Sequence, residues 1–99
     1  MLHIVNKSPS QSRTLDSCLR LAQPGSAVLL IEDGVYAATR GNADAVALHA
    51  ACGRLQVYAL QPDCEARGVA AMLAEGITMV DYGGFVDLVA QRKATHSWL

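Results

Sequence analysis

The sequence has no CxxC pair, no glycine-rich phosphate loop and no apolar run long enough for a bilayer, and each absence removes a class of protein. Its three cysteines, Cys18, Cys52 and Cys64, lie too far apart in the chain to form a chelating knuckle. An odd number also leaves one thiol unpaired, whereas a secreted domain of 99 residues normally carries an even and denser set. A reducing compartment fits such thiols best. No stretch approaches the roughly 18 apolar residues of a membrane span. The opening Met1-Leu2-His3-Ile4-Val5-Asn6-Lys7 reaches polar residues too soon for a secretory signal. The expectation is a soluble cytoplasmic protein without membrane contact.

Neither G-x-G-x-x-G nor G-x-x-x-x-G-K-[ST] occurs, so a nucleotide cofactor has no support. A serine nucleophile elbow is likewise absent. His3, His49 and His96 are scattered without metal-ligand spacing, so neither a metal nor any other cofactor is expected. Eight basic against nine acidic residues, a net charge of −1, gives no electrostatic reason for direct nucleic-acid contact. The only adjacent basic pair, Arg92-Lys93, reads as the solvated end of a helix. No repeat, charge block or low-complexity segment divides the chain, and residues 1–99 read as one domain.

What is present is an alternation of strand-like and helix-like segments. Leu2-His3-Ile4-Val5 opens as a strand, and Leu15, Cys18, Leu19 and Ala22 recur at helical spacing until Pro24-Gly25 stops them. Ala27-Val28-Leu29-Leu30-Ile31 is apolar throughout, as a central parallel strand buried on both faces must be. After Glu32-Asp33-Gly34 an alanine-rich helical stretch breaks at Gly41-Asn42 and resumes through Val46, Ala47 and Ala50. A third strand spans residues 55–60. Gln61-Pro62-Asp63 then leads into a helix with Ala66, Val69, Ala70 and Leu73 on one face, ending at Gly76. Ile77-Thr78-Met79-Val80 is a fourth strand, Phe85, Leu88 and Val89 mark a last helix, and Ser97-Trp98-Leu99 is a candidate fifth strand. The pattern predicts a small three-layer α/β domain with a mainly parallel sheet of four to five strands flanked by helices. In such sheets the loops after the strands share one edge, the usual place for a site.

On local physics Cys64 is the most reactive thiol. It follows Asp63, a good N-cap, and falls in the first helical turn, where free N–H groups and the helix dipole favour a thiolate. The charges of Asp63 and Glu65 oppose that ionisation, and an incidental exposed thiol is the competing account. Cys18, on the apolar stripe of the first helix, reads as a small core residue. Cys52, before Gly53 at a helix end, sits where the dipole raises a thiol's pKa. Glu32-Asp33 can act as a base or bind a cation, but such a pair more often caps the helix that follows.

The segments Met1-Leu2-His3-Ile4-Val5-Asn6-Lys7-Ser8-Pro9, Leu29-Leu30-Ile31-Glu32-Asp33-Gly34-Val35-Tyr36-Ala37-Ala38, Val57-Tyr58-Ala59-Leu60 through Ala66-Arg67-Gly68, and Val80-Asp81-Tyr82-Gly83-Gly84-Phe85-Val86 resemble the DsrH/TusB family in order along nearly the whole chain. The Trp98-Leu99 tail matches as well. This resemblance implies a DsrEFH-like fold and a subunit of a hetero-hexamer with DsrE/TusD-like and DsrF/TusC-like relatives. Such a complex relays sulfane sulfur between cysteine persulfides to a TusE/DsrC-like acceptor. The sulfur goes towards 2-thiolation of wobble uridine in tRNA or, in the Dsr branch, serves sulfur oxidation.

The resemblance places the main persulfide cysteine on the DsrE/TusD-like subunit and leaves the enzymatic part of this chain open. Asp16-Ser17-Cys18-Leu19-Arg20 resembles the cysteine motif of DsrH-like members, which makes Cys18 the first candidate carrier and Cys64 the second. A structural subunit with idle thiols is the alternative, consistent with 52% hydrophobic and 17% charged residues in so short a chain. A small-molecule sensor using the acidic strand-end loop is a third reading.

Overall fold

In the computed structural model, which describes residues 1–98, short aliphatic runs form strands β1 (Leu2–Val5), β2 (Ala27–Leu30), β3 (Gln56–Leu60), β4 (Thr78–Val80) and β5 (Thr95–Trp98). All pairings among these five strands are parallel, in the order β4-β3-β2-β1-β5. Every residue of the central β2 is buried, which is why that segment tolerates no polar side chain. Successive residues face opposite sides. Thus Val5, Val28, Leu30, Val57 and Ala59 enter one core, while Leu2, Ala27 and Leu29 enter another.

Four α-helices cover these faces unequally. α1 (Thr14–Leu21), α2 (Ala43–Ala51) and α3 (Gln61–Ala66) lie on the larger core, to which they contribute Leu15, Cys18, Leu19, Leu48, Ala51 and Cys64. α4 (Tyr82–Gln91) alone serves the second face, through Leu88 and Phe85. Handedness accounts for this division. The steps from β1 outward to β4 go one way along the sheet, so right-handed crossovers keep their helices on one face; the return from β4 to β5 runs the other way and moves its helix to the opposite face.

Helix starts follow local chemistry. The Asn42 side chain accepts the Ala45 N–H at 2.9 Å, so the expected break at Gly41-Asn42 is the cap of α2. Asp81 accepts the Gly84 N–H at 2.8 Å and opens α4. Three expectations need correction. The first alanine-rich piece is a 3-10 helix over Glu32–Ala38, starting at Glu32 instead of after Gly34. The helix expected to run to Gly76 is α3 followed by a separate 3-10 turn, Ala70–Met72, because Gly68 adopts φ +69° between them. With the periodicity interrupted there, Ala66 is exposed while Val69 is buried. Arg92 is also more than a solvated helix end. It donates to the Gly25 carbonyl at 3.0 Å and to Gln56 Oε1 at 2.6 Å, tying the end of α4 to the entry of β2 and β3. The tail segment forms β5 as far as Trp98; Leu99 lies outside the described residues.

Candidate functional site

Because all five strands run the same way, the chain leaves each of them at one common edge. At the end of β2 the backbone of Glu32 takes φ +49°, the left-handed region that disfavours residues with a Cβ. That conformation is held from outside, since the Glu32 N–H donates to Asp63 Oδ2 at 2.6 Å. Asp63 is therefore not the N-cap expected of it. Leu60 occupies the cap position of α3, and the carboxylate of Asp63 reaches back across the edge instead.

Asp33 and Arg67 complete the cluster. Arg67 Nε donates to Asp33 Oδ1 at 2.9 Å, and its Nη1 lies 3.4 Å from the Asp63 carbonyl and 3.9 Å from the Asp63 carboxylate. The bond to Asp33 raises the Arg67 pKa above its already high ordinary value. Asp33 does not cap the 3-10 helix, whose N-cap Ile31 has no side-chain bond. Asp33 Oδ1 is thus already occupied by the guanidinium. The cluster binds α3 to the turn after β2, with the single guanidinium of Arg67 set between two carboxylates. Glu32, Asp33 and Asp63 stand out in the sequence by their place after strands, whereas Arg67 is marked there only by its motif and by its spacing four residues after Asp63.

Cys18 and Cys64, the two candidate carriers, are both free thiols with no solvent exposure, in the larger core. Burial pushes the Cys18 pKa up to about 12. Burial also raises that of Cys64, followed by the repulsion of Asp63 and Glu65, while Arg67 pulls the other way. Cys64 does fall near the start of α3, as expected, but its side chain turns inward and is fully buried, and that desolvation is the largest influence on the thiol. Cys52, the one partly exposed thiol, points to carbonyls of Leu48 at 3.3 Å and Gly76 at 3.4 Å, acceptors that favour the protonated form. Its pKa is raised as well.

An open cleft of about 560 Å³ is lined by Arg40, Asn42, Val46, His49, Leu73 and Glu75, among others. No cysteine and no member of the strand-end cluster lines it. His49 Nδ1 is engaged with the Glu75 carbonyl at 2.9 Å. Among the described residues no three His, Cys, Asp or Glu side chains stand close enough to hold a metal ion, and no helix is long and apolar enough to cross a membrane.

Hydrophobic side chains remain in solvent on α4. Tyr82, Val86 and Val89 are 60%, 65% and 42% exposed, and their i, i+4, i+7 spacing places them on one stripe facing away from the sheet.

Comparison with known proteins adds the following. The family model described as DsrH like protein matches residues 7–95. Protein TusB of Serratia proteamaculans is 38% identical over 98 residues, covering 99% of this chain and all of that protein. Protein TusB of Escherichia coli is 36% identical over the same lengths. Among solved structures the ychN protein of Escherichia coli superposes with a TM-score of 0.79 over 97% of both chains at 19% identity, a likeness of fold.

Proposed function

The chain belongs to the DsrH family, and from that premise we propose that it is a subunit of a cytoplasmic sulfur-relay complex, in which the sulfur rides on a cysteine of a partner chain. The partners are DsrE/TusD-like and DsrF/TusC-like relatives in a hetero-hexamer, and a TusE/DsrC-like protein receives the sulfur. In each transfer an acceptor thiolate attacks the outer sulfur of a persulfide, the S–S bond breaks, and the donor cysteine leaves as thiolate. Sulfur changes hands without external oxidant or reductant. Full-length relatives called TusB favour the branch that ends in 2-thiolated wobble uridine over sulfur oxidation.

One observation carries the assignment of the persulfide to a partner: Cys18 and Cys64 have no exposed surface, and burial disfavours their thiolates. This chain contributes architecture. The stripe of Tyr82, Val86 and Val89 on α4 is the surface offered to partners, since burying it against another subunit removes apolar area from water. A second reading rests on the segment Asp16-Ser17-Cys18-Leu19-Arg20, which resembles a cysteine motif of the family. In it, partner binding opens the core above α1 and Cys18 takes the sulfur itself.

Co-expression with the two relatives, loading from a persulfide donor and intact-mass measurement of each subunit separate these readings. The expected result is an increment of about 32 Da, one sulfur atom, on a partner and none on this chain. An increment here that disappears in Cys18→Ser establishes the second reading, and one that disappears only in Cys64→Ser moves the carrier to α3. Failure to co-purify with the relatives refutes membership of the complex.

A further inference from the structure

His3 lies in the middle of β1 and is 5% exposed, on the same side of the strand as Val5. Its Nδ1 is 3.0 Å from Trp98 Nε1 on β5. An indole nitrogen can only donate, so Nδ1 must offer a lone pair and the proton of the neutral imidazole sits on Nε2. The contact thus dictates the tautomer as well as the charge of His3. His96, the register partner of His3, completes the group, with its ring centroid 6.2 Å from that of His3 and 4.6 Å from that of Trp98.

Little else holds β5 in place by its side chains. Thr95, His96 and Ser97 are exposed, and Trp98 is the only one of its four residues that is partly buried and packed on the core. The rest of its attachment is backbone pairing with β1 at the sheet edge, including the Leu2 N–H to Ala94 carbonyl bond at 2.9 Å.

We propose that His3 and Trp98 form a proton-operated latch: when His3 takes a proton on Nδ1, donor meets donor, the indole must leave, and the strand Thr95–Trp98 releases the edge of β1.

The surroundings of the ring set the direction. Burial lowers the His3 pKa from 6.5, and the neighbouring His96 and the amino group of Met1 lower it further. β2 presents the uncharged Val28 opposite His3, and the charged groups that bear on the ring are His96 and the Met1 amino group, with no carboxylate among them. Neutral His3 is therefore favoured while β5 is docked, and a released strand leaves the ring free to protonate nearer its ordinary value. The docked state binds fewer protons than the released state, so docking is fully supported above pH 6.5 and weakens as pH falls below it.

Trp98 is the only tryptophan, so the emission of the full chain reports on the latch directly. Lowering the pH from neutrality is expected to shift that emission to the red in a one-proton transition below pH 6.5, with loss of amide protection at residues 95–98 and retention at β2. His3→Asn keeps an acceptor near the place of Nδ1 but does not titrate, and is expected to abolish the transition. His96→Asn removes a repelling neighbour and is expected to leave the transition in place at higher pH. In Trp98→Phe, read by hydrogen exchange, protection of β5 is expected to be low already at neutral pH and insensitive to acid over the same range. Emission that stays flat in the wild type, an unchanged transition in His3→Asn, or its loss in His96→Asn alone overturns the latch. So does acid-sensitive protection of β5 persisting in Trp98→Phe.

Discussion

If the persulfide belongs to a partner, Cys18 must be slow towards any electrophile in the isolated folded chain, and the degree of slowness can be worked out. Its pKa rises from the ordinary 9.0 to about 12, which reduces the thiolate fraction at neutral pH roughly a thousandfold. A more basic thiolate is also more nucleophilic, with a Brønsted slope of about 0.4–0.5, which returns a factor of roughly 15–30. Ionisation alone therefore slows the reaction by only a few tens. Access sets the larger limit, because a side chain without exposed surface reacts only after the core opens, and in the open form its pKa is back at the ordinary value. If that requires global unfolding at about 5 kcal/mol, the open fraction is roughly one in several thousand. Alkylation by iodoacetamide, followed at each cysteine by peptide mass spectrometry, measures this protection against the unfolded chain. Protection at Cys18 and Cys64 is expected to exceed that at Cys52 and to collapse together with the fold in denaturant. Cys18 labelling within tenfold of the unfolded chain refutes the reasoning, for neither the raised pKa nor the burial could then be governing its chemistry.

Two glycines should respond to alanine for different reasons. At Gly34 a Cβ would collide with the Val5 carbonyl oxygen and lie 3.1 Å from its carbon, so Gly34→Ala must displace backbone, with a loss of about 3 kcal/mol and roughly 12–24 °C in Tm. At Gly68 nothing stands within 4 Å and only the positive φ is at stake, so Gly68→Ala loses about 1–2 kcal/mol; thermal unfolding that ranks them the other way contradicts the packing of the 3-10 helix on β1. Val86→Asp, on the 65% exposed position of α4, is expected to leave the isolated chain within about 0.5 kcal/mol of its stability while abolishing pull-down of the relatives, and unimpaired pull-down sinks the proposed docking stripe.

The parts of this molecule visible in the sequence were those governed by neighbours along the chain. The uninterrupted apolar run at residues 27–31 could only suit a strand covered on both sides, and β2 is such a strand. The Gly41-Asn42 break carried the chemistry of a cap. What stayed hidden depends on residues distant in sequence. Asp63 has the right chemistry for an N-cap, but a backbone N–H 31 positions earlier takes its carboxylate. Cys64 has a favourable place along its helix and an unfavourable direction around it. Gly68 ends a periodic stretch that reads smoothly through Ala66, Val69 and Ala70, because hydrophobic spacing does not register a residue in the left-handed region. The pairing of Trp98 with His3 spans 95 positions and left no local signature.

The chain places its last strand beside its first, which gives synthesis an order of events. Strands one to four can zip up as they emerge from the ribosome, yet the outer rim of residues 2–5 has no neighbour until residues 95–98 arrive. During that interval the open border of the sheet is the mostly apolar Leu2–Val5 and not the mostly polar Thr95–Trp98 that forms it afterwards, and an apolar border is the kind that recruits stray extended peptides. A product cut short before Thr95 would keep that border for good, and is expected to precipitate or to depend on chaperones even though nearly all of its interior is already assembled.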